Sequence, residues 1–188
     1  TRSADERAAS QLAALNARLA QNGLAPVAAL SDLARLPVLR KSELSARQKA
    51  HPPFGGLPVA NAAHVFQSPG PIYEPGGVSH DGGRMGRFLH ACGIGPGDIV
   101  QNCFGYHLTP AGMIFESGAR AVGAAVLPAG TGQTDLQARA AVAVGTTAYA
   151  GTPDYLQVIL HRAEELCERP KITPPAVRGG ALFPAPPQ

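Results

Sequence analysis

Residues 95–104 read GPGDIVQNCF, and this stretch decides the fold class of the 188-residue chain. Glycine, proline and aspartate make residues 95–98 a tight turn, because these residue types favour the backbone angles of a chain reversal. The apolar run over residues 99–104 then predicts a buried strand. A helix precedes the turn, since the apolar side chains of residues 85–92 share one face and Gly93 supplies the helix end. The local order is therefore helix, turn, buried strand.

The same alternation continues toward the C-terminus. Pro110 suits the first turn of a helix, and residues 124–127 then predict a second buried strand. Residues 134–137 read TDLQ, which is the spacing of a capping box. A further helix is therefore expected to begin here with Thr134 as its cap.

A third unit completes the pattern that indicates the fold. Residues 146–150 predict a strand, and Pro153 opens a helix whose apolar stripe includes Ile159. Strands and helices that alternate at this spacing indicate an α/β domain with a parallel, doubly wound sheet and flanking helices. Ligands of such sheets bind beyond the carboxyl ends of the strands. The strand-to-helix loops expected to hold functional residues are residues 105–109, 128–134 and 151–153, with residues 67–75, earlier in the chain, as a fourth candidate.

The N-terminal third predicts one helix and then a segment that wraps the domain. Leu12, Leu15 and Leu19 recur at the three- and four-residue intervals of a buried helical stripe. Prolines break residues 24–62 into short pieces, with one short helix expected at residues 41–44. The predicted domains are an N-terminal helix with its wrapping segment, residues 1–62, an α/β core, residues 63–183, and the proline-rich end of a chain expected to be incomplete, residues 184–188.

Composition argues against several classes of function. The net charge of +3 is spread along the chain, and Arg40-Lys41 is the only adjacent basic pair, so no basic face for nucleic acid is expected. No apolar run approaches the roughly 20 residues that span a bilayer, which predicts no membrane partner. Cys92, Cys103 and Cys167 fit neither a disulfide framework nor a metal knuckle, which favours the cytoplasm and predicts no metal site. Cys103 is expected to be a small buried hydrophobe.

Four segments together resemble the phenylacetate-CoA ligase family of adenylate-forming enzymes. The two most telling are residues 95–106, GPGDIVQNCFGY, and residues 126–134, VLPAGTGQT. Residues 152–156, TPDYL, and residues 36–44, LPVLRKSEL, are weaker matches. Their order and spacing extend over roughly residues 34–183. The resemblance implies the N-terminal portion of the large domain of an adenylate-forming enzyme.

The resemblance implies an AMP-forming ligation of a small carboxylic acid, such as phenylacetate or another aryl acid, to CoA. ATP, with magnesium, and the acid would give an acyl-adenylate and pyrophosphate, and the CoA thiolate would then displace AMP. The acyl group would lie against Phe104, Gly105 and Tyr106, which follow the strand end. Core aromatics beside a turn glycine are the alternative interpretation of these residues. A homodimer is a further expectation, and no catalytic residue is assigned.

The phosphate loop is where this chain departs from the family. Residues 67–75, QSPGPIYEP, correspond to that loop, and the resemblance assigns Ser68 and Gly70 to the nucleotide phosphates. Glu74 stands where the family has a lysine, and Pro69 and Pro71 lack N–H donors. The residues that resemble the start of the adenine-side loop are Gly179, Gly180 and Ala181.

These departures leave two hypotheses about function. The first is an acid-CoA ligase that is incomplete or degenerate in the chain as given. The alternative is a noncatalytic homologue that keeps the fold together with a surface for a small molecule or a subunit.

Overall fold

The computed structural model describes residues 4–57, 59, 62–77 and 80–168. Internal contacts divide the chain into two compact units, Thr1–Lys41 and Ser42–Gln188. The domain division from the sequence stays a prediction, and its last segment lies outside the described residues. In chain order the elements are α1 (Ala4–Gln21), a 3₁₀ helix (Leu30–Arg35), α2 (Lys41–Ala50), β1 (His64–Ser68), β2 (Ile72–Gly76), α3 (Gly86–Ala91), β3 (Ile99–Asn102), α4 (Ala111–Ala121), β4 (Ala125–Leu127), α5 (Thr134–Val144), β5 (Ala148–Ala150) and α6 (Pro153–Glu165).

Helix α1 of the first unit is as predicted, but its leucine stripe is only partly buried. Leu19 is buried, Leu15 is half-buried and Leu12 is 39% exposed. The amide of Asn16 joins the helix to the segment that follows, donating to the Val27 carbonyl at 2.9 Å and accepting from the Val27 N–H at 2.8 Å. Helical spacing identifies the apolar face of α1, but how many of its leucines are buried depends on the path of the segment that follows the helix.

Strands β1 and β2 form an antiparallel hairpin, so the strand-to-helix loop predicted for residues 67–75 is wrong. Aromatic and β-branched residues on both sides of Gly70 favour extended backbone, and this glycine takes φ +153 in the turn. The helix predicted at residues 41–44 is confirmed as the start of the longer α2. Gln48 of α2 holds β2, donating to the Tyr73 carbonyl at 2.7 Å and accepting from the Tyr73 N–H at 2.8 Å.

The predicted parallel sheet is confirmed in the second unit, with its three strands in the order β4–β3–β5. Because β3 is central, the chain first moves to β4 on one side and then crosses to β5 on the other. This reversal makes the sheet doubly wound and places a crevice at the carboxyl ends of β3 and β5. The connections at residues 105–109, 128–134 and 151–153 are strand-to-helix loops, as predicted.

Helices cover both faces of the sheet. Helices α3 and α4 pack together against one buried cluster, and α5 and α6 pack together against a second. Alternation along β3 explains the two layers, because successive side chains of a strand face opposite sides. Val100 belongs to the cluster with Leu89, whereas Cys103, next after the strand, belongs to the cluster with Ile159.

The capping box predicted at residues 134–137 is wrong. Thr134 is the first residue of α5, the N-cap position is Gln133 in a left-handed conformation with φ 52, and no side chain caps the helix. Gln137 is buried and donates instead to carbonyls of the preceding loop. Thr134 and Gln137 have the residue types and spacing of a capping box, but the path of the preceding loop places its carbonyls, and not the N-cap N–H, within reach of Gln137.

Candidate functional site

One buried amide, that of Asn102, organises the loop after β3. Its Nδ2 donates to the phenolic oxygen of Tyr106 and to the carbonyl of Gly112, both at 2.8 Å, and its Oδ1 accepts from the Phe104 N–H at 3.2 Å. The N–H of Gly112, in α4, donates to the Gly105 carbonyl at 3.0 Å. The aromatic loop is therefore held against the start of α4 by both side-chain and backbone bonds.

Replacing this amide is expected to loosen the loop. Asn102→Ala should lower the free energy of unfolding by about 1–3 kcal/mol, because the buried groups of Tyr106 and Gly112 lose their donor. Tyr106→Phe removes only one of these bonds and should cost about 0.5–1.5 kcal/mol. Urea unfolding measures both values. Equal losses in the two variants would contradict a wider role for Asn102.

A pocket of about 170 Å³ opens beyond the carboxyl ends of the strands. Three strand-to-helix loops contribute to it, which is the convergence that a doubly wound sheet produces. Two aromatic residues, a cysteine, two threonines and two glycines make it a mainly apolar site with a few polar groups. The residues that line it are Cys103, Phe104, Gly105, Thr131, Gly132, Thr152 and Tyr155.

Phe104 belongs both to this pocket and to the core. Its ring stacks on that of Phe115 with 4.3 Å between centroids. It also packs against the buried cluster that contains Val100 and Leu89. The two interpretations that the sequence left open for Phe104 therefore both have a physical basis, and its contact with an acyl group stays a prediction.

Tyr106 packs on α4 and is not among the residues that line the pocket. Its ring covers Gly112, where an added Cβ would come within 2.9 Å of the ring. Burial, and then the nearby carboxylate of Glu116, raise the pKa of the Tyr106 hydroxyl above its usual range. The phenol is therefore neutral at physiological pH, and its predicted contact with an acyl group stays a prediction.

Cys103 is buried, which confirms its predicted role as a small hydrophobe. Burial raises the pKa of its thiol to about 11, so the thiolate is scarcely populated at neutral pH. The thiol donates to Oε1 of Gln137 at 3.1 Å. A protonated thiol in this environment forms part of the pocket wall and does not suit nucleophilic chemistry.

Ser68 and Gly70 lie at the turn of the β1–β2 hairpin. The Ser68 hydroxyl donates to Oε1 of Glu74 at 2.7 Å, so the predicted phosphate-binding hydroxyl already has an anionic acceptor. The Gln67 N–H donates to the Leu108 carbonyl at 2.8 Å, which ties the hairpin to the aromatic loop. Ser68 and Gly70 and the predicted acid-binding residues thus lie on linked segments of the second unit.

The remaining predictions concern the adenine-side loop, metal ions, the membrane and the protein's partners. Gly179, Gly180 and Ala181 lie outside the described residues. Within the described residues, no group of three or more His, Cys, Asp or Glu side chains could hold a metal ion. In the same part of the chain, no helix has the length and apolar character needed to cross a membrane. The cytoplasmic location, the homodimer and the lack of a nucleic-acid partner stay predictions.

Thr131, Thr152 and Tyr155 are pocket residues that sequence reasoning did not assign. The first two lie in loops that were expected to hold functional residues. Tyr155 lies in the first turn of α6, where its spacing is that of an ordinary helical residue. Thr131 reaches Phe104 because β4 pairs with β3, and the crossing of the chain from β4 to β5 brings Thr152 and Tyr155 to the same place.

Comparison with known proteins identifies relatives of this chain, although no family model matches it. It is 31% identical over 149 residues to a phenylacetate-coenzyme A ligase of Thermus thermophilus, a match that covers 74% of this chain and 32% of the relative. It is 28% identical over 146 residues to the phenylacetate-coenzyme A ligase of Aromatoleum evansii, covering 73% of this chain and 32% of that protein. The chain thus spans about a third of the length of these relatives, as a match to one part of a ligase would.

Solved structures lead to the same family. A 2-hydroxyisobutyryl-CoA ligase in an open conformation, in complex with 2-HIB-AMP and CoA, matches with a TM-score of 0.64 and 27% identity over 72% of this chain and 31% of that one. The postadenylation state of a 2-hydroxyisobutyryl-CoA ligase, in complex with 2-HIB-AMP, also matches with a TM-score of 0.64 and 27% identity, over 71% of this chain and 30% of that one. Together with the parallel sheet, these similarities show that the chain is a phenylacetate-CoA ligase-like member of the adenylate-forming acid-CoA ligases.

Proposed function

We propose that the pocket binds the acyl part of a small carboxylic acid, and that the full-length protein is an AMP-forming acid-CoA ligase. The observation that carries this proposal is the convergence of three loops on one aromatic-lined pocket in a member of this family. Phe104 and Tyr155 offer ring faces to an aryl group, and the hydroxyls of Thr131 and Thr152 offer polar contacts. The relatives are named for phenylacetate and 2-hydroxyisobutyrate, both of which are small acids.

The size of the pocket favours a small acid. Its volume of about 170 Å³ is below the roughly 300–1,000 Å³ of pockets for drug-sized ligands. A single aromatic ring or a short branched chain is the kind of acyl group that suits this volume. Phenylacetate is therefore the first acid to test.

ATP, magnesium and CoA are the cofactors that this proposal gives to the full-length enzyme. The hairpin turn over residues 67–75 does not fit a triphosphate as it is folded. Glu74 accepts from the Ser68 hydroxyl and would repel phosphate oxygens, and Pro69 and Pro71 offer no N–H. No catalytic role therefore follows for this turn.

A pyrophosphate-release assay on the full-length protein tests the proposed function. The assay contains ATP, magnesium and CoA, with phenylacetate, benzoate or 2-hydroxyisobutyrate as the acid. Acid-dependent release of pyrophosphate with at least one of them is expected. Release that no acid stimulates would contradict a ligase.

The bond between Ser68 and Glu74 favours a second candidate, a noncatalytic homologue that binds an acid or an acyl-CoA without ATP. Calorimetry separates the two candidates. Acid binding that requires magnesium-ATP supports the ligase. Binding of phenylacetate or phenylacetyl-CoA that ATP does not affect supports the binding module.

Phe104 substitutions should separate its pocket role from its core role. Phe104→Ala is expected to weaken phenylacetate binding by about 1–2 kcal/mol and also to lower stability, because the ring is lost from both environments. Phe104→Leu keeps apolar volume beside Phe115, so its stability loss should be smaller while the aromatic contact with the acid is still lost. Calorimetry and urea unfolding measure the two effects. Unchanged binding in both variants would leave only the core role.

A further inference from the structure

The side-chain amide of Gln137 hydrogen-bonds to several groups behind the pocket, although Gln137 is not among the residues that line the pocket. Its Nε2 donates to the carbonyls of Ala129, Gly130 and Gly132 at 3.3, 3.0 and 2.7 Å. The residue is 4% exposed, so these bonds are shielded from water. One amide group therefore gathers three carbonyls of the loop between β4 and α5.

The other end of the same amide is anchored to β3. Its Oε1 accepts from Nε2 of Gln101 at 3.2 Å and from the thiol of Cys103 at 3.1 Å. Gln101 is fully buried, and the Gly130 N–H donates to the Asn102 carbonyl at 2.9 Å. The loop is thus tied to the central strand through both a side chain and the backbone.

The loop needs such an anchor because its backbone is unusual. Gly130, Gly132 and Gln133 have φ values of 66, 79 and 52, a conformation that costs free energy for the non-glycine residue. Thr131 and Gly132 of this loop form a wall of the pocket, and the Tyr155 hydroxyl donates to the same Gly132 carbonyl at 2.8 Å. A change in the loop path would therefore change the shape of the pocket.

We propose that Gln137 is a positioning residue, which holds residues 129–132 as a pocket wall and thereby sets the size of acid that the pocket accepts. The selectivity part of this inference rests on the proposed function, whereas the holding of the loop does not. Gln137→Met keeps the length of the side chain and removes its donors. Thr146→Val is the matched control, because it removes a buried bond from Thr146 to the Ala141 carbonyl, at 3.1 Å, near the other end of α5.

Hydrogen exchange of the Gly130 amide in the full-length protein measures the holding of the loop. Gln137→Met should speed exchange of this amide by about tenfold or more relative to the amides of β3, because the loop opens without global unfolding. Thr146→Val should leave that ratio unchanged. Where Gln137→Met does not fold, Gln137→Asn, whose shorter side chain moves the amide away from the three carbonyls, takes its place and the same comparison decides. An unchanged ratio would overturn the proposal.

Selectivity is measured as the ratio of kcat/KM for 1-naphthylacetate to that for phenylacetate. Gln137→Met should raise this ratio by about tenfold, since a released wall admits the larger ring, and Thr146→Val should not. Faster Gly130 exchange with an unchanged ratio would overturn the selectivity role. A wild-type protein that turns over none of the acids of the pyrophosphate assay would sink the proposed ligase, while the exchange measurement still decides whether Gln137 holds the loop.

Discussion

Glu74→Lys should tighten the binding of magnesium-ATP to the full-length protein by about tenfold or more. A carboxylate about 4 Å from a phosphate charge costs about 1 kcal/mol even in a water-like dielectric, and a lysine at the same place returns a similar amount. The substitution also removes the acceptor that the Ser68 hydroxyl now uses at 2.7 Å. Both changes favour an anionic ligand at the hairpin turn.

Calorimetry at low and high salt measures this effect with two further variants. Glu74→Gln removes the charge without reversing it, so its affinity should lie between those of the wild type and Glu74→Lys. Glu164→Lys makes the same charge reversal on the exposed surface of α6 and should have little effect. The gain should decrease as salt screens the exposed charges. Tight binding by the wild type that Glu74→Lys leaves unchanged would remove residues 67–75 from the nucleotide site.

Ile159→Ala is expected to lower the free energy of unfolding by about 2–5 kcal/mol. Ile159 is fully buried between the sheet and α5, in the cluster that contains Cys103 and Ala138, so its truncation leaves a cavity behind the pocket. The neighbouring Val158 is 51% exposed, and Val158→Ala should change stability by no more than about 0.5 kcal/mol. Urea unfolding of the two variants tests the difference. Similar losses in both would mean that α6 does not bury Ile159 in solution.

The sequence by itself determined the parallel α/β core. The turn at residues 95–98 and the short apolar runs after it depend on local backbone preferences and on the period of hydrophobic side chains. These signals depend only on residues that are close in the sequence, so they can be read without knowing which distant residues are in contact. The same signals led correctly to the loops at residues 105–109, 128–134 and 151–153.

Tertiary structure decided how those loops combine and what single polar side chains do. The crossing from β4 to β5 brings Thr152 and Tyr155 to Phe104, which lies about fifty residues earlier in the chain. Gln137 has the spacing of a capping residue, yet it bonds the carbonyls of a loop whose path the sheet fixes. Likewise the pairing of Ser68 with Glu74 depends on a hairpin turn that local preferences left open. Apolar periodicity is a property of neighbouring residues, whereas the partner of a buried amide or hydroxyl depends on which groups the completed fold leaves within hydrogen-bond reach.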